Sequence, residues 1–344
     1  MKVLKRILVL IGIGIIFLGG SCSIKPRGWW SESVIGVMAD STDWEIIQGD
    51  LRRAYEKVIR TPQIENTYNL KYITTQDFDR YTEFRYLILL STLESQGKVG
   101  KIVNRVVEDP EIRAGVESGE YYVFTQRNQW AKDQLMTILI GKDIPALREK
   151  LETNQEFLYN IFETDFKERL KDELLERRFH KEIEKELMIS YGWSLKVHKG
   201  YFLAQEFPKN GFLWFRRMYP ERWVFVRWID GGNEELLNAQ WIVGERNRIG
   251  AQYYDGDEVV NQYLYSYRSS FLGRTAQVTT GLWENDAKIK GGPFKNYTFY
   301  DPLSRRVYMI DLAVHAPEKD KIPYLRRMDT MAETFITIFD KESG

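Results

Sequence analysis

The 344-residue chain has one cysteine, Cys22, and the residues before it suit one reaction. A soft thiol can take a diacylglyceryl group as a thioether. Small residues ahead of it, here Gly19, Gly20 and Ser21, let a signal peptidase read an extended backbone. Further upstream, Lys2, Lys5 and Arg6 precede the uncharged run Ile7 to Leu18, which is the grammar of a secretory leader. Leu18 stands four residues before Cys22 rather than the usual three. The apolar run is well short of the roughly 20 residues that span a bilayer. Cleavage and lipidation at Cys22 are therefore predicted ahead of an uncleaved anchor or an ordinary cleaved leader. Two or more acyl chains such as palmitate would hold the chain firmly, each buried methylene adding about 0.8 kcal/mol.

Other residue types suggest further chemistry, each with a plainer alternative. Hydrolysis of envelope sugars needs two carboxylates flanking a cleft, and Glu284 with Asp301 is the best pair, helped by Trp283 as a ring for stacking. Asp301 precedes Pro302, however, where a carboxylate caps a turn. Gly291 and Gly292, before Pro293, would let a backbone approach a ligand, although a bend or bulge is the stronger expectation. Trp214, Arg216, Trp223 and Arg227 alternate as a strand does. They would offer an anionic-glycan surface, unless one face is core and arginine stems cover the other. Tyr253 to Glu258 gathers oxygens without the spacing of a calcium loop. His180, His198 and His315 are scattered, so no zinc site is expected, and there is no G-x-S-x-G nucleophile turn. No metal and no cofactor is expected.

The composition bounds the partners. Lys and Arg total 49 against 49 Asp and Glu; loss of Lys2, Lys5 and Arg6 leaves 46 against 49, a net charge near −3. Nothing in that balance suggests a nucleic-acid footprint, and no nucleic-acid partner is expected. A lone cysteine allows no intrachain disulfide, so packing alone must hold the exported body together. Aromatic residues, 14% of the chain, supply material for that packing.

The positioning elements follow from periodicity. Residues 1–21 read as the leader and 22–32 as a lipidated tether, with Trp29 and Trp30 either in the headgroup layer or under the first strand. Residues 33–143 alternate strand and helix signals, as expected for an α/β lobe: strands over 33–40, 68–73, 86–93, 121–126 and 134–140, with helices starting at a Thr42–Glu45 capping box and over 97–107, the second stopped at Pro110. Residues 144–193 are charged and helical, with a break near Thr153 and Asn154, and would span ~45–50 Å if continuous. Residues 194–344 form a strand-rich lobe with a closing helix over 324–338. The predicted class is α/β (α+β), two sheet-containing lobes with helices packed on them, joined by the long charged helical segment.

The mature chain resembles an envelope lipoprotein family, the domain of unknown function 4837. The resemblance rests on Gly281-Leu282-Trp283-Glu284, Gly291-Gly292-Pro293-Phe294, Tyr297-Thr298-Phe299 and Asp301, then Ala316-Pro317 and Tyr324-Leu325-Arg326. Asp43-Trp44, Pro62-Gln63, Trp130-Ala131 with Gln134, and Phe212-Leu213-Trp214 fall in the same order. Two departures are Ile289-Lys290, where Met before the glycines is expected, and His198, where proline is usual. The resemblance implies a lipoprotein with an α/β body and supplies no activity. The expectation is a non-enzymatic binding or structural module held to the membrane by its lipid, in the bacterial envelope, with Ser23 after the cysteine favouring the outer membrane facing the periplasm. An envelope protein or cell-wall glycan is the expected partner. The alternatives are a polysaccharide or peptidoglycan hydrolase, and a small-ligand-binding lipoprotein with an aromatic cleft between its halves.

Overall fold

The computed structural model describes residues 26, 28, 31–176 and 178–342. The leader, Cys22, Trp29 and Trp30 lie outside the described residues. The chain divides into two compact units, one of residues 1–57 and 66–166, the other of residues 58–65 and 167–344.

The first unit is a five-stranded sheet with helices on both faces. Its elements are β1 (Val34–Ala39), α1 (Ser41–Tyr55), β4 (Asn69–Ile73) and β5 (Tyr86–Thr92), the intervening hairpin of β2 (Val58–Arg60) and β3 (Ile64–Asn66) falling in the second unit. There follow α2 (Lys98–Val106), α3 (Pro110–Ser118), β6 (Val123–Arg127), β7 (Leu135–Gly141), α4 (Ile144–Thr153) and α5 (Gln155–Leu170). The sheet order is β4-β1-β5-β7-β6; only β6 runs antiparallel to its neighbour. Every residue of β5 and β7 is buried, as parallel strands covered on both faces must be. One face packs Val99, Val103, Ile112 and Val116 of α2 and α3. The other meets Tyr55 and Phe162, whose rings lie 5.6 Å apart.

Two local expectations are corrected here. Helix α1 starts at Ser41 rather than from a Thr42–Glu45 box, and the Asp40 carboxylate accepts the Val99 and Gly100 N–H groups of α2, at 3.1 and 2.9 Å. Pro110 ends no helix; with Asp109 capping Glu111 and Ile112 it opens α3, proline being well suited to the first helical turn.

The charged segment is no single rod. After α5 comes a wide-turned stretch over residues 171–176, and then α6 (Lys181–Tyr191). Between them Phe179 makes a bridge to His198, and the His180 N–H donates to the Val197 carbonyl at 2.8 Å. Those extended bonds compete with the helical ladder and break it.

The second unit is built on one large antiparallel sheet. It holds β8 (Trp193–Ser194), β9 (Phe202–Phe207), β10 (Phe212–Arg217), β11 (Glu221–Asp230), α7 (Ala239–Tyr253), β12 (Glu258–Phe271), β13 (Arg274–Asn285), β14 (Lys290–Asp301) and β15 (Arg306–His315). It closes with α8 (Ile322–Ala332), β16 (Ile336–Thr337) and α9 (Ile338–Glu342). The sheet order is β12-β13-β14-β15-β11-β10-β9. Alternate residues of β13 to β15 enter two cores. Val278, Tyr297, Phe299, Ile310 and Leu312 join Leu325, Met328 and Phe335. Trp283, Phe294, Met309 and Ala313 join Ile242 and Ile249 of α7.

Gly291 and Gly292 make no bend. They pair in register with Glu284 and Trp283, and a Cβ on Gly292 would stand 1.8 Å from the Val314 carbonyl oxygen. The glycine is there because the neighbouring strand runs too close for a side chain.

Phe335 is buried, with its ring 4.9 Å from that of Tyr308, 5.5 Å from Phe299 and 5.6 Å from Trp193. Phe335→Ala is expected to destabilise this unit by about 3–5 kcal/mol, read as a lowered urea midpoint; a change under about 1 kcal/mol would contradict this packing.

Candidate functional site

Open parallel sheets bind ligands at the carboxyl ends of their strands, where the strand order reverses. In the first unit that place, beside β1, is occupied by its own side chains. Asp40 caps α2, Ser95 donates to Asp43, and Thr92 and Ser95 hydroxyls bond at 2.9 Å. The acidic cap would repel an anion at the α2 N-terminus.

A cleft of about 580 Å³ lies in the second unit. Its floor is Thr280, Gly281, Pro293, Phe294 and Lys295, and one wall is Ile322, Leu325, Arg326 and Asp329 of α8. Tyr263, Leu264, Tyr265 and Tyr267 from β12 form the opposite wall, and Val58 and Ile59 complete the rim. The cleft exists because β12 is irregular. Val260 pairs with Leu282 and Tyr265 with Thr280, so four residues of β12 face the single Gly281. Such a bulge swings an edge strand away from its partner. At that gap Gly281 contributes no side chain, and a Cβ there would stand 2.9 Å from the Phe294 ring.

At the cleft's polar corner Lys295 and Asp329 form a neutral pair, with Arg326 of α8 also in the lining. Asp329 accepts from Tyr297 Oη at 2.9 Å and from Lys295 Nζ at 2.8 Å. Burial, reinforced by the Asp329 carboxylate, pushes the Tyr297 hydroxyl far above its ordinary range, so it is a fixed donor. Much of the remaining lining is apolar and aromatic: Val58 and Tyr265 are 64% and 65% exposed, large values for such side chains.

The sequence candidates scatter. Glu284 is exposed and faces Gly291. Asp301 is buried, ion-paired to Arg274 at 3.0 Å, and accepts the Ser304 N–H at 3.0 Å. Ten residues of β14 separate Gly291 from Asp301, roughly 30 Å along a strand, whereas paired catalytic carboxylates stand within about 10 Å. Glu284 and Asp301 therefore form no catalytic pair. Trp283 and Trp214 are buried in the core under α7, Trp283 against Trp223 and Trp214 against Tyr254. Arg216 stands over the Trp214 ring at 5.4 Å and pairs with Glu221. Gly291 and Gly292 serve strand packing, so Trp283, Glu284, Gly291, Gly292 and Asp301 do not converge on one concave surface.

Asp255 pairs with Lys288, and Asp257 accepts from Asn285 at 2.8 Å. Among the described residues no group of three or more His, Cys, Asp or Glu is placed to hold a metal ion, and no helix is long and apolar enough to cross a membrane. Sequence reasoning missed the β12 wall, although Tyr263, Tyr265 and Tyr267 recur with the period of two that marks a strand.

Fold and site together define an α+β protein of two sheet-containing units with an apolar cleft on the larger sheet. Residues 180–334 match the family described as domain of unknown function (DUF4837). Residues 31–174 match a separate family, domain of unknown function (DUF8532), so the stretches around Trp44, Pro62 and Trp130 lie outside the first match. No curated protein matches the chain. Solved structures with a similar portion include a Bacteroides thetaiotaomicron protein (5% identity, 42% of this chain and 45% of that one, TM-score 0.28). Two more are the Saccharomyces cerevisiae Ran-binding protein Mog1p (9%, 43% and 90%, 0.30) and LpqN of Mycobacterium tuberculosis, involved in cell envelope biogenesis (15%, 42% and 81%, 0.28). The chain thus spans under half of the Bacteroides protein, and scores this low carry no argument about function.

One ion-pair group on the face opposite α8 gives a pH test. Glu245 of α7 accepts from Arg227 Nε and Arg248 Nη2, both at 2.7 Å. Burial alone would raise its pKa, but the bonds from Arg248 and Arg227 outweigh burial and lower it. A carboxylate lowered on folding stabilises the fold above its ordinary pKa, near 4.5, and loses that contribution as pH falls through the folded value. Glu245→Gln is expected to cost about 1–3 kcal/mol at pH 7 and progressively less below pH 4, measured by urea denaturation. An equal cost at both pH values would refute the assignment.

Proposed function

We propose that the chain is a lipid-anchored envelope protein whose C-terminal unit is a non-enzymatic binding module, taking an apolar or aromatic ligand in the cleft between β12 and α8. The observation that carries this reading is the cleft itself. It gathers Gly281, Pro293-Phe294 and Leu325-Arg326, three separated stretches of the family resemblance, around a largely apolar space whose polar corner holds the Lys295–Asp329 pair. A volume of about 580 Å³ suits a small ligand or the side chains of an envelope partner. Burial of Asp301 and its distance from Glu284 weigh against the hydrolase alternative. The leader, Cys22 and the six residues before Trp29 favour a body held close to the membrane, and Ser23 favours the outer membrane facing the periplasm.

Cys22→Ala is expected to abolish labelling by radioactive palmitate and to release the protein from the membrane fraction; continued labelling would overturn the anchor. For the cleft, the apolar fluorophore N-phenyl-1-naphthylamine is expected to bind saturably. Val58→Asp and Tyr265→Ala, both on the exposed rim, should each weaken it about tenfold, ~1.4 kcal/mol. Their stabilities should shift by no more than about 0.5 kcal/mol. Absence of saturable binding, or binding indifferent to both substitutions, would remove this reading.

A further inference from the structure

Most arginines on the large sheet have carboxylates against them: Arg227 has Glu245, Arg274 has Asp301, and Arg306 has Asp230. The end of the sheet where β10 turns into β11 breaks this pattern. Arg217 and Arg222 stand directly opposite each other in the hairpin register, where like charges oppose strand pairing. Among the described residues no carboxylate pairs with either, and burial and the Arg222 guanidinium push the Arg217 pKa down.

The surroundings hold these charges in place. Arg222 is 4% exposed; its guanidinium lies 4.8 Å from the Tyr324 ring centre and donates to the Pro220 carbonyl at 2.9 Å. Arg217 lies flat on Gly200, where a Cβ would come within 2.8 Å of its Cζ. Its Nη1 is 3.5 Å from His198 Nδ1. That Nδ1 accepts the Gly200 N–H at 2.9 Å, so the neutral ring carries its proton on Nε2 and presents a donor there. Burial, then Arg217, Arg178, Arg222 and Arg327, push the His198 pKa down to about 4. The imidazole therefore stays neutral while the guanidiniums keep their charge. Guanidiniums held together without carboxylates are costly unless an anion joins them, and their forked donors match the oxygens of a phosphate.

We propose that Arg217, Arg222 and His198 form a binding site for a phosphate group, either of a free phosphate or of a phospholipid headgroup. The site is separate from the apolar cleft and stands independently of the reading made for it.

The test uses full-length protein in dodecyl maltoside micelles. Calorimetric titration with inorganic phosphate and with pyrophosphate probes the free anion. Micelles doped with phosphatidylglycerol, against phosphatidylcholine-doped ones, probe the headgroup. Saturation by phosphate or pyrophosphate assigns the free anion, and saturation only by phosphatidylglycerol assigns the lipid. In either case Arg217→Gln, at a partly exposed position, is expected to weaken binding at least about tenfold. His198→Ala should weaken it less, and Arg268→Gln on the far edge strand should leave it unchanged. If neither probe saturates, or if folded Arg217→Gln binds as tightly as the wild type, the site is refuted. N-phenyl-1-naphthylamine binding should be untouched by Arg217→Gln, which separates failure here from failure at the cleft.

Discussion

The seven-stranded sheet must be covered on both faces, and most of the second unit's design follows from that constraint. A strand offers side chains to alternate faces, so β13, β14 and β15 each need two sets of partners. Helix α8 and Phe335 cover one set, and α7 covers the other. The cover is incomplete at β12, where four residues oppose one and the edge strand departs from the sheet. The cleft is the space that α8 and the displaced strand leave between them. Its apolar character is inherited from the core it interrupts, and its single polar corner from the Tyr297 hydroxyl that the core could not bury without a partner.

Covering the α7 face also required burying charge. Arg246 and Asp311 are almost fully buried, 3.2 Å apart, with Asn296 donating to Asp311 at 2.9 Å and the Arg246 guanidinium 4.1 Å from the Phe294 ring centre. Such a pair adds little net stability, but losing one partner costs about 3–5 kcal/mol. It therefore fixes the placement of α7 on β14 and β15 more than it strengthens the fold. Phe294 links this network to the cleft, since the same ring stacks under Arg246 and lines the floor near Gly281. Changes at the buried pair would thus be felt at the cleft through one aromatic side chain.

Strong local periodicity made much of this legible from sequence. Strands β1, β5, β7 and β10 have continuous or alternating apolar patterns with few competing signals, and the α+β class follows from them. The failures have physical causes. Pro110 by itself signals a helix end, but Asp109 before it is a helix cap, so the pair opens α3. Strand β12 is an edge strand whose outward residues are polar or exposed, so its apolar content is diluted. The charged helical segment lacks a proline or glycine where it breaks, because the break is imposed by pairing around Phe179 and His180. Gly291 and Gly292 report the close approach of β13 and β15 respectively, which no local pattern reveals. At the site, Gly281, Phe294 and Leu325 lay within stretches singled out by resemblance, while Val58 and Asp329 belong to the cleft only through tertiary packing.

The distribution of carboxylates separates the sheet's two kinds of arginine. Where an arginine serves the fold, as at Arg227, Arg274 and Arg306, an acid lies within about 3 Å of it, because a guanidinium taken out of water without a partner is costly. At Arg217 and Arg222 the same sheet brings two guanidiniums together and supplies a neutral imidazole, two tyrosine rings and backbone oxygen instead. Aromatic faces attract a cation by at most a few kcal/mol, which offsets part of the repulsion and neutralises none of the charge. Folding energetics alone would favour an acid at this end of the hairpin. Its absence leaves the positive charge available to something outside the chain, and that distinguishes this end of the sheet from every arginine pair that serves only to hold the protein together.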